Sequence, residues 1–321
     1  MNSFETDLEQ VSCPLCGTGE FTSWVAALDR LQVTATAFQL VRCASCSLVY
    51  QNPRVGLASI GKYYAGEYYT SRAGRRQDQA REQVRVQREI RKRQIVEGLG
   101  CAPGTVLDVG CANGDFLAEM QQSGWRVAGV EFSAEAARYG REHFGIPVVA
   151  GDLEDRPDDG TRFDLITMWG VLPHLPRPLQ AIRAAARLLT DRGRLVICCA
   201  NIESLAFRFS RGAWGHLDQP RHFCMYSPMT VRRLLTAGGL VPGPIAFESQ
   251  LWKSEMFFAP FMPLRKWLLA CPAGIVRGAG LKILGLANSL LAAPVEALAR
   301  RGQRGAMLIV SATRSQSETG R

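Results

Sequence analysis

Two cysteine pairs, a small-residue turn with acids beyond it, and a pair of histidines are the groups in this sequence equipped for chemistry. Cys13-Pro14-Leu15-Cys16 and Cys43-Ala44-Ser45-Cys46 form a C-x2-C…C-x2-C pattern with 26 residues between the pairs. Two thiolates three residues apart reach one ion from a tight knuckle, and two knuckles complete a tetrahedral four-sulfur site. Such a site keeps no open position, so the expected zinc is structural and stabilises a segment too small for a core of its own. The gap is longer than the roughly 15 to 20 residues of the usual spacing, and a longer β-hairpin between the knuckles would fill it. Four free buried thiols are the alternative.

Asp108-Val109-Gly110-Cys111-Ala112-Asn113-Gly114 lies between a strand-like run, TVLDV, and a helical one, DFLAEMQQ. Small residues at 110, 112 and 114 let the chain turn tightly and let a ligand approach the backbone. The G-x-A-x-G spacing differs from the dinucleotide G-x-G-x-x-G and favours a nucleoside pocket over a pyrophosphate cradle. Glu131 ends the next strand, 21 residues after Gly110, where its carboxylate can accept from both hydroxyls of a ribose. Asp152 ends the third strand, within reach of an adenine amino group. The alternative is an ordinary strand-to-helix turn with surface acids.

The fourth strand runs into Met168-Trp169-Gly170-Val171-Leu172-Pro173-His174. Trp169 can wall a cofactor or substrate, and His174 is read equally as catalytic or as a structural residue at a helix start. Asp218-Gln219-Pro220-Arg221-His222 follows the fifth strand. His222 is the first choice for a general base, because a histidine near its ordinary pKa can take a proton at neutral pH. Arg221 offers a planar fork to a phosphate or carboxylate on the substrate. The competing reading has both residues holding a loop through backbone carbonyls.

These groups need a scaffold, and the apolar pattern supplies one. From residue 104 short apolar runs alternate with amphipathic stretches: TVLDV, WRVAGVE, PVVAGD, FDLITMW and GRLVICCA as strands, with helices between them. Ser133 and Ser227 stand where helix N-caps are expected. Strand–helix alternation implies a parallel sheet covered on both faces. VPGPIAFESQL reads as a sixth strand and AMLIVSAT as the last. Cys198 and Cys199 fall in a buried run and read as core, and Cys111 as a small packing residue.

The sequence has 321 residues, 47% hydrophobic and 21% charged, which describes a globular chain and excludes a disordered one. Its net charge of +9 suits anionic partners. No secretory signal and no long uncharged apolar stretch is read, so a reducing cytoplasm is the expected location. The Arg-rich segment 72 to 98 reads as a solvent-facing helix with i, i+4 pairs. Between 252 and 304, eight Lys and Arg face only Glu255 and Glu296 among Trp-, Phe- and Leu-rich runs. Such helices can lie on a membrane surface, giving a peripheral location at its inner face, or serve as a lid or subunit contact. The expected organisation is a zinc module at 1–60, a Tyr-rich linker and basic helix at 61–100, a core at 101–251, the insertion at 252–304 and the last strand and tail at 305–321.

The glycine turn with Glu131 and Asp152 resembles the class I S-adenosylmethionine-dependent methyltransferases over about 104 to 250 and again at the last strand. The resemblance implies an α/β fold with a Rossmann-like seven-stranded sheet, a small zinc-ribbon-like module before it, and a helical insertion before the last strand. It implies a cofactor-lining set of Asp108, Gly110, Cys111, Ala112, Gly114, Glu131, Phe132, Asp152, Leu153 and Trp169. Ala112 stands where a glycine is commoner, and its methyl group could crowd the cofactor. The C-P-x-C-G start, the tyrosine-rich linker and D-x-P-R-H…S-P resemble a bacterial methyltransferase subfamily associated with small-molecule, sugar and cell-envelope metabolism. The core also resembles ubiquinone-pathway O-methyltransferases. The implied function is methyl transfer from S-adenosylmethionine to an oxygen or carbon of a small molecule, such as a sugar or a lipid-linked intermediate. An RNA- or DNA-modifying enzyme is the second reading, against which stands the absence of N/D-P-P-Y/F after the fourth strand. A non-enzymatic zinc-containing binding protein with a vestigial pocket is the third.

Overall fold

The computed structural model describes residues 7–29, 36–64, 79–156, 159–248, 280, 283, 299 and 301–314. The chain opens with β1 (Leu8–Glu9), β2 (Phe21–Leu28), β3 (Ala37–Cys43), β4 (Val49–Gln51), β5 (Arg54–Val55) and a single helical turn, α1 (Leu57–Ile60). β2 and β3 form the long antiparallel hairpin expected between the knuckles, with Phe21 opposite Cys43 and Leu28 opposite Ala37.

The core begins with α2 (Gln79–Gly98), then β6 (Thr105–Val109), α3 (Asp115–Gln122), β7 (Arg126–Glu131), α4 (Ala134–Phe144), β8 (Val148–Ala150) and β9 (Phe163–Trp169). It continues with α5 (Pro178–Leu188), β10 (Leu189–Ala200), α6 (Leu205–Ser210), β11 (Cys224–Met225), α7 (Pro228–Ala237), β12 (Leu240–Glu248) and β13 (Met307–Arg314). The helix ends follow local chemistry. Ser133 Oγ accepts from Ala136 N–H at 3.3 Å, and Gly145, at φ 66°, closes α4. Ser227 and Thr230 form a reciprocal capping box on α7.

Seven strands form one sheet in the order β12-β13-β10-β9-β6-β7-β8. β8, β7, β6, β9 and β10 pair in parallel. The expected parallel sheet is nevertheless mixed, because β13 runs antiparallel to both β10 and β12. Glu248 lies opposite Met307, so the chain re-enters the sheet at the end where β12 left it, and no crossover to the far end is made. Alternate residues of the central strands serve opposite faces. Leu107, Ile166 and Ile197 pack with α5 and α7, whereas Val106, Leu165 and Val196 pack with α2, α3 and α4. Cys198 and Cys199 are fully buried in this core.

The zinc module shares its sheet with the core. β11 pairs with β4, which makes a four-stranded sheet of order β11-β4-β3-β2. One apolar cluster runs from Cys13, Phe38 and Tyr50 through Phe223 and Tyr226 to Leu308. The expectation that α2 is a solvated helix is corrected: Glu89, Lys92 and Val96 are buried, and only its other faces are wet. Residues 252–304 lie outside the described residues except for 280, 283, 299 and 301–304. Among the described residues no helix is long and apolar enough to cross a membrane.

Candidate active site

The strand order reverses between β7 and β9 around β6, and in open α/β sheets the ligand crevice lies at the carboxyl ends of the strands at such a switch point. The turn after β6 occupies it. Gly110 sits at φ 66°, and a Cβ there would meet Val171 Cγ2 at 2.5 Å, so only glycine fits. Gly114, at φ 86°, opens α3 without a side-chain cap. Ala112 also adopts a left-handed conformation, φ 49°, which explains why glycine is commoner at its place in the resembled family. Cys111 is buried beneath the turn, and its Sγ would lie 2.6 Å from a Cβ on Gly129, a packing role as expected.

Glu131 is buried at the end of β7 with its carboxylate turned toward this loop. Its Oε2 accepts from Ala112 N–H at 2.8 Å and its Oε1 from Ser133 N–H at 2.9 Å. A carboxylate offers about four lone-pair directions, so these bonds orient it without exhausting it. Phe132 beside it is 59% exposed, an apolar ring open to a stacking partner. Gly151 N–H bonds to Glu131 O at 3.0 Å, which brings Asp152 and the buried Leu153 alongside. Burial, then the neighbouring Asp155, raises the Asp152 carboxyl above its ordinary range.

Trp169 ends β9 on the same side, edge-on to Phe116 with ring centroids 5.5 Å apart. Its buried Nε1–H meets no acceptor among the described residues. A buried donor left without a partner at a ligand crevice fits a bound polar molecule. Above these rings lies α2. Lys92 Nζ is 5.5 Å from the Phe116 centroid and 5.8 Å from that of Trp169, and it pairs with buried Glu89 at 2.7 Å. Arg85 pairs with Asp115, and Arg93 with Glu119 at 2.7 Å, which fastens α2 to α3. Nothing in the sequence reading marked Glu89 and Lys92; their spacing with Val96 at i, i+3 and i+7 is the signal that a buried stripe would leave.

Asp108 lies under the turn, fully buried, and accepts from Thr167 Oγ1 at 2.5 Å. Burial pushes its carboxyl up to about 7, against the opposing pull of Lys92 and Thr167. An unfolded aspartate loses its proton near pH 3.9, whereas the folded protein keeps this one until about 7. Stability therefore falls as pH rises across that window. Between pH 5 and 8 the wild type is expected to lose on the order of 2 to 3 kcal/mol more than Asp108→Asn, which carries no titrating group there. Urea unfolding of both proteins at the two pH values measures this, and parallel curves would contradict it.

The histidines form a second group, reached through Val171 and Pro173. His174 N–H bonds to Val171 O, and Phe223 N–H to Pro173 O, both at 2.8 Å. His174 Nε2 and His222 Nε2 stand 3.1 Å apart, with their rings edge to face. His174 is half-buried, whereas His222 is buried, and burial followed by the nearby His174 holds the His222 pKa well below the usual histidine range. His174 is thus the member of the pair closer to solvent. Tyr64, from the linker, places its hydroxyl 2.9 Å from His174 Nδ1, a partner that the sequence did not single out.

Arg221 is not a substrate clamp. Its side chain is fully buried, Nε and Nη2 donate to Asp218 Oδ1 at 3.1 and 2.9 Å, Nη2 reaches Asp29 Oδ1 at 2.7 Å, and Nη1 reaches Tyr63 O at 3.2 Å. The fork is filled from inside because folding presses this segment between the module and the core, where a buried cation requires internal acids.

Cys13 Sγ and Cys46 Sγ lie 3.5 Å apart, as do Cys16 and Cys43, and the four converge within 4.8 Å. Sulfurs about 2.3 Å from a tetrahedral zinc would stand about 3.8 Å from one another, so the donor set fits the ion. Burial pushes the Cys13 thiol up and the Cys46 thiol up to about 11. At Cys43 burial is outweighed by hydrogen bonds led by the Cys46 backbone N–H, which lowers it to about 7. A dication among them would supply the charge that ionises the rest.

The fold is that of the class I S-adenosylmethionine-dependent methyltransferases, with a cysteine module suited to structural zinc. The chain belongs to the methyltransferase-domain family, whose model matches residues 80–242. It is similar to the ubiquinone biosynthesis O-methyltransferase of Pseudomonas paraeruginosa, 32% identical over 130 residues, 38% of this chain and 55% of that one. The enzyme of the same name from Xanthomonas oryzae pv. oryzae is 34% identical over 115 residues, 34% of this chain and 48% of the other. The chain spans about half the length of the curated relatives it matches. The solved plantazolicin methyltransferase BamL aligns with a TM-score of 0.48 at 14% identity, over 80% of this chain and 92% of that one.

Proposed function

We propose that the chain transfers a methyl group from S-adenosylmethionine to an oxygen or carbon of a small molecule. The observation that carries this reading is the Glu131 carboxylate, held by Ala112 and Ser133 at the mouth of the small-residue turn and flanked by exposed Phe132. S-adenosylmethionine supplies a methyl group on a sulfonium, open to in-line displacement. Glu131 would accept from the ribose hydroxyls, Phe132 and Leu153 would flank the adenine, and Asp152 would face its amino group. The turn from Gly110 to Gly114 would lie along the methionine part, with Trp169 walling the crevice. The work left to these residues is alignment in a dry pocket, which is worth several kcal/mol in a displacement of this kind.

An oxygen acceptor is favoured by the name of the relatives, O-methyltransferase. A sugar or lipid-linked acceptor accords with the resembled subfamily. The nucleic-acid reading loses support because Arg85, Arg91 and Arg93 of α2 are engaged by Asp115, Glu248 and Glu119 within the chain. Isothermal titration tests the proposal. The wild type is expected to bind S-adenosylmethionine and its demethylated product, and Glu131→Gln to bind each about 10- to 100-fold more weakly, the cost of a lost charge-assisted hydrogen bond. A wild type that binds neither would end the proposal.

A further inference from the structure

The His174–His222 pair presents a chemical puzzle. His222 Nδ1 lies 2.8 Å from His216 O, and His174 Nδ1 lies 3.1 Å from Arg221 O. A carbonyl oxygen only accepts, so both carbonyls are satisfied with the proton on each Nδ1, and the Tyr64 hydroxyl, 2.9 Å from His174 Nδ1, then accepts from it as well. Each Nε2 then carries a lone pair, and the two Nε2 atoms face one another at 3.1 Å. Asp218 adds a carboxylate oxygen, and the three donor atoms lie within 4.8 Å of one another. Three Lewis bases this close repel unless a proton is shared or a cation lies between them.

We propose that His174, His222 and Asp218 form a second metal site, separate from the cysteine cluster, that takes a divalent transition ion such as zinc, iron(II) or cobalt(II). Imidazole ligands about 2.0 to 2.1 Å from such an ion stand roughly 3 to 3.4 Å apart, which brackets the observed separation. Metal-bound histidines characteristically donate their other N–H to a backbone carbonyl or carboxylate, and both histidines here face a carbonyl. Two imidazoles and one carboxylate suit this group of ions better than magnesium or calcium. Arg221 holds Asp218 in place through Oδ1, and Asp29 on the other side offsets the guanidinium charge. Three protein ligands leave a coordination position for a water or an acceptor oxygen, and half-buried His174 is the side from which it would enter. As a role, this rests on the methyl-transfer reading; as a site, it stands on the three side chains alone.

The test counts metal in the full chain. Protein loaded with zinc, desalted and analysed by mass spectrometry is expected to hold about two ions per chain, and His174→Gln about one. His174→Gln should keep the wild-type affinity for S-adenosylmethionine. One ion in the wild type would overturn the site, leaving the Tyr64 hydroxyl to donate to His174 Nδ1 and His174 Nε2–H to donate to His222 Nε2. Two ions retained in His174→Gln would also overturn it, because the second ion would lie elsewhere. Should the variant fail to fold, cobalt titration of the wild type decides. Nitrogen–oxygen d–d bands in addition to the sulfur charge-transfer bands support the site, and sulfur bands alone refute it. Failure of cofactor binding in the wild type would sink the methyl-transfer reading and leave the metal count untouched.

Discussion

Cys43→Ser is expected to unfold the amino-terminal sheet and silence methyl transfer while leaving cofactor affinity within a few-fold of the wild type. Structural zinc contributes about 10 to 16 kcal/mol of apparent binding free energy in small zinc modules, which exceeds the whole stability of most domains. Cys43 ends β3, its N–H bonds to Leu48 O, and its Sγ accepts from Cys46 N–H at 3.3 Å, so its loss opens a knuckle as well as removing a ligand. The damage should travel. β4 pairs with β11, and Gln51 N–H bonds to Phe223 O at 2.9 Å, next to His222. Asp29, just beyond β2, holds Arg221. The turn from Gly110 to Gly114 belongs to the other sheet and is held by hydrogen bonds to Val130 and Glu131. Zinc content, limited proteolysis of residues 7–55 and titration with S-adenosylmethionine read the three parts separately. Full metal content and unchanged proteolysis in the variant would refute the ligand assignment.

Arg221→Ala is expected to cost about 3 to 5 kcal/mol of stability, the range for breaking a buried ion pair from one side. The loss follows from what remains. Asp29 and Asp218 would stay buried without the guanidinium that joins them, and Tyr63 O would lose its donor. For a chain of this size the melting temperature should fall by about 10 °C. Arg221→Lys should recover only part of the loss, because one ammonium cannot replace a planar fork that meets two carboxylates and a carbonyl together. Urea unfolding measures both variants. A shift under about 1 kcal/mol for the alanine variant would show that the acids find other partners. A substrate-binding role would instead have produced a raised KM with little change in stability.

Much of the candidate crevice was legible in the sequence. Gly110 and Gly114 follow an apolar run, Glu131 and Asp152 close the next two, and period-2 and period-3.6 patterns specify strand and helix over short distances. The cysteine knuckles are equally local, since ligand geometry needs only three-residue spacing. Arg221 and the face of α2 were misread for a shared reason. A charged side chain in sequence is expected in water, and whether it is buried depends on what packs over it. Glu89 and Lys92 are buried because Phe116 and Trp169 lie beneath α2, and Arg221 because Asp29, 192 positions away, encloses it together with the neighbouring Asp218.

The amino-acid sequence by itself determined the strand and helix alternation, the small-residue turn with its carboxylate, and the four thiolates, because each is specified by neighbours a few positions away. The tertiary structure alone decided that β13 reverses direction, that β11 completes the module's sheet, and that Tyr64, His174, Asp218 and His222 converge. Those outcomes depend on contacts between distant positions, such as Arg221 with Asp29, 192 apart, and Gln51 with Gln219, 168 apart, which local pattern does not encode.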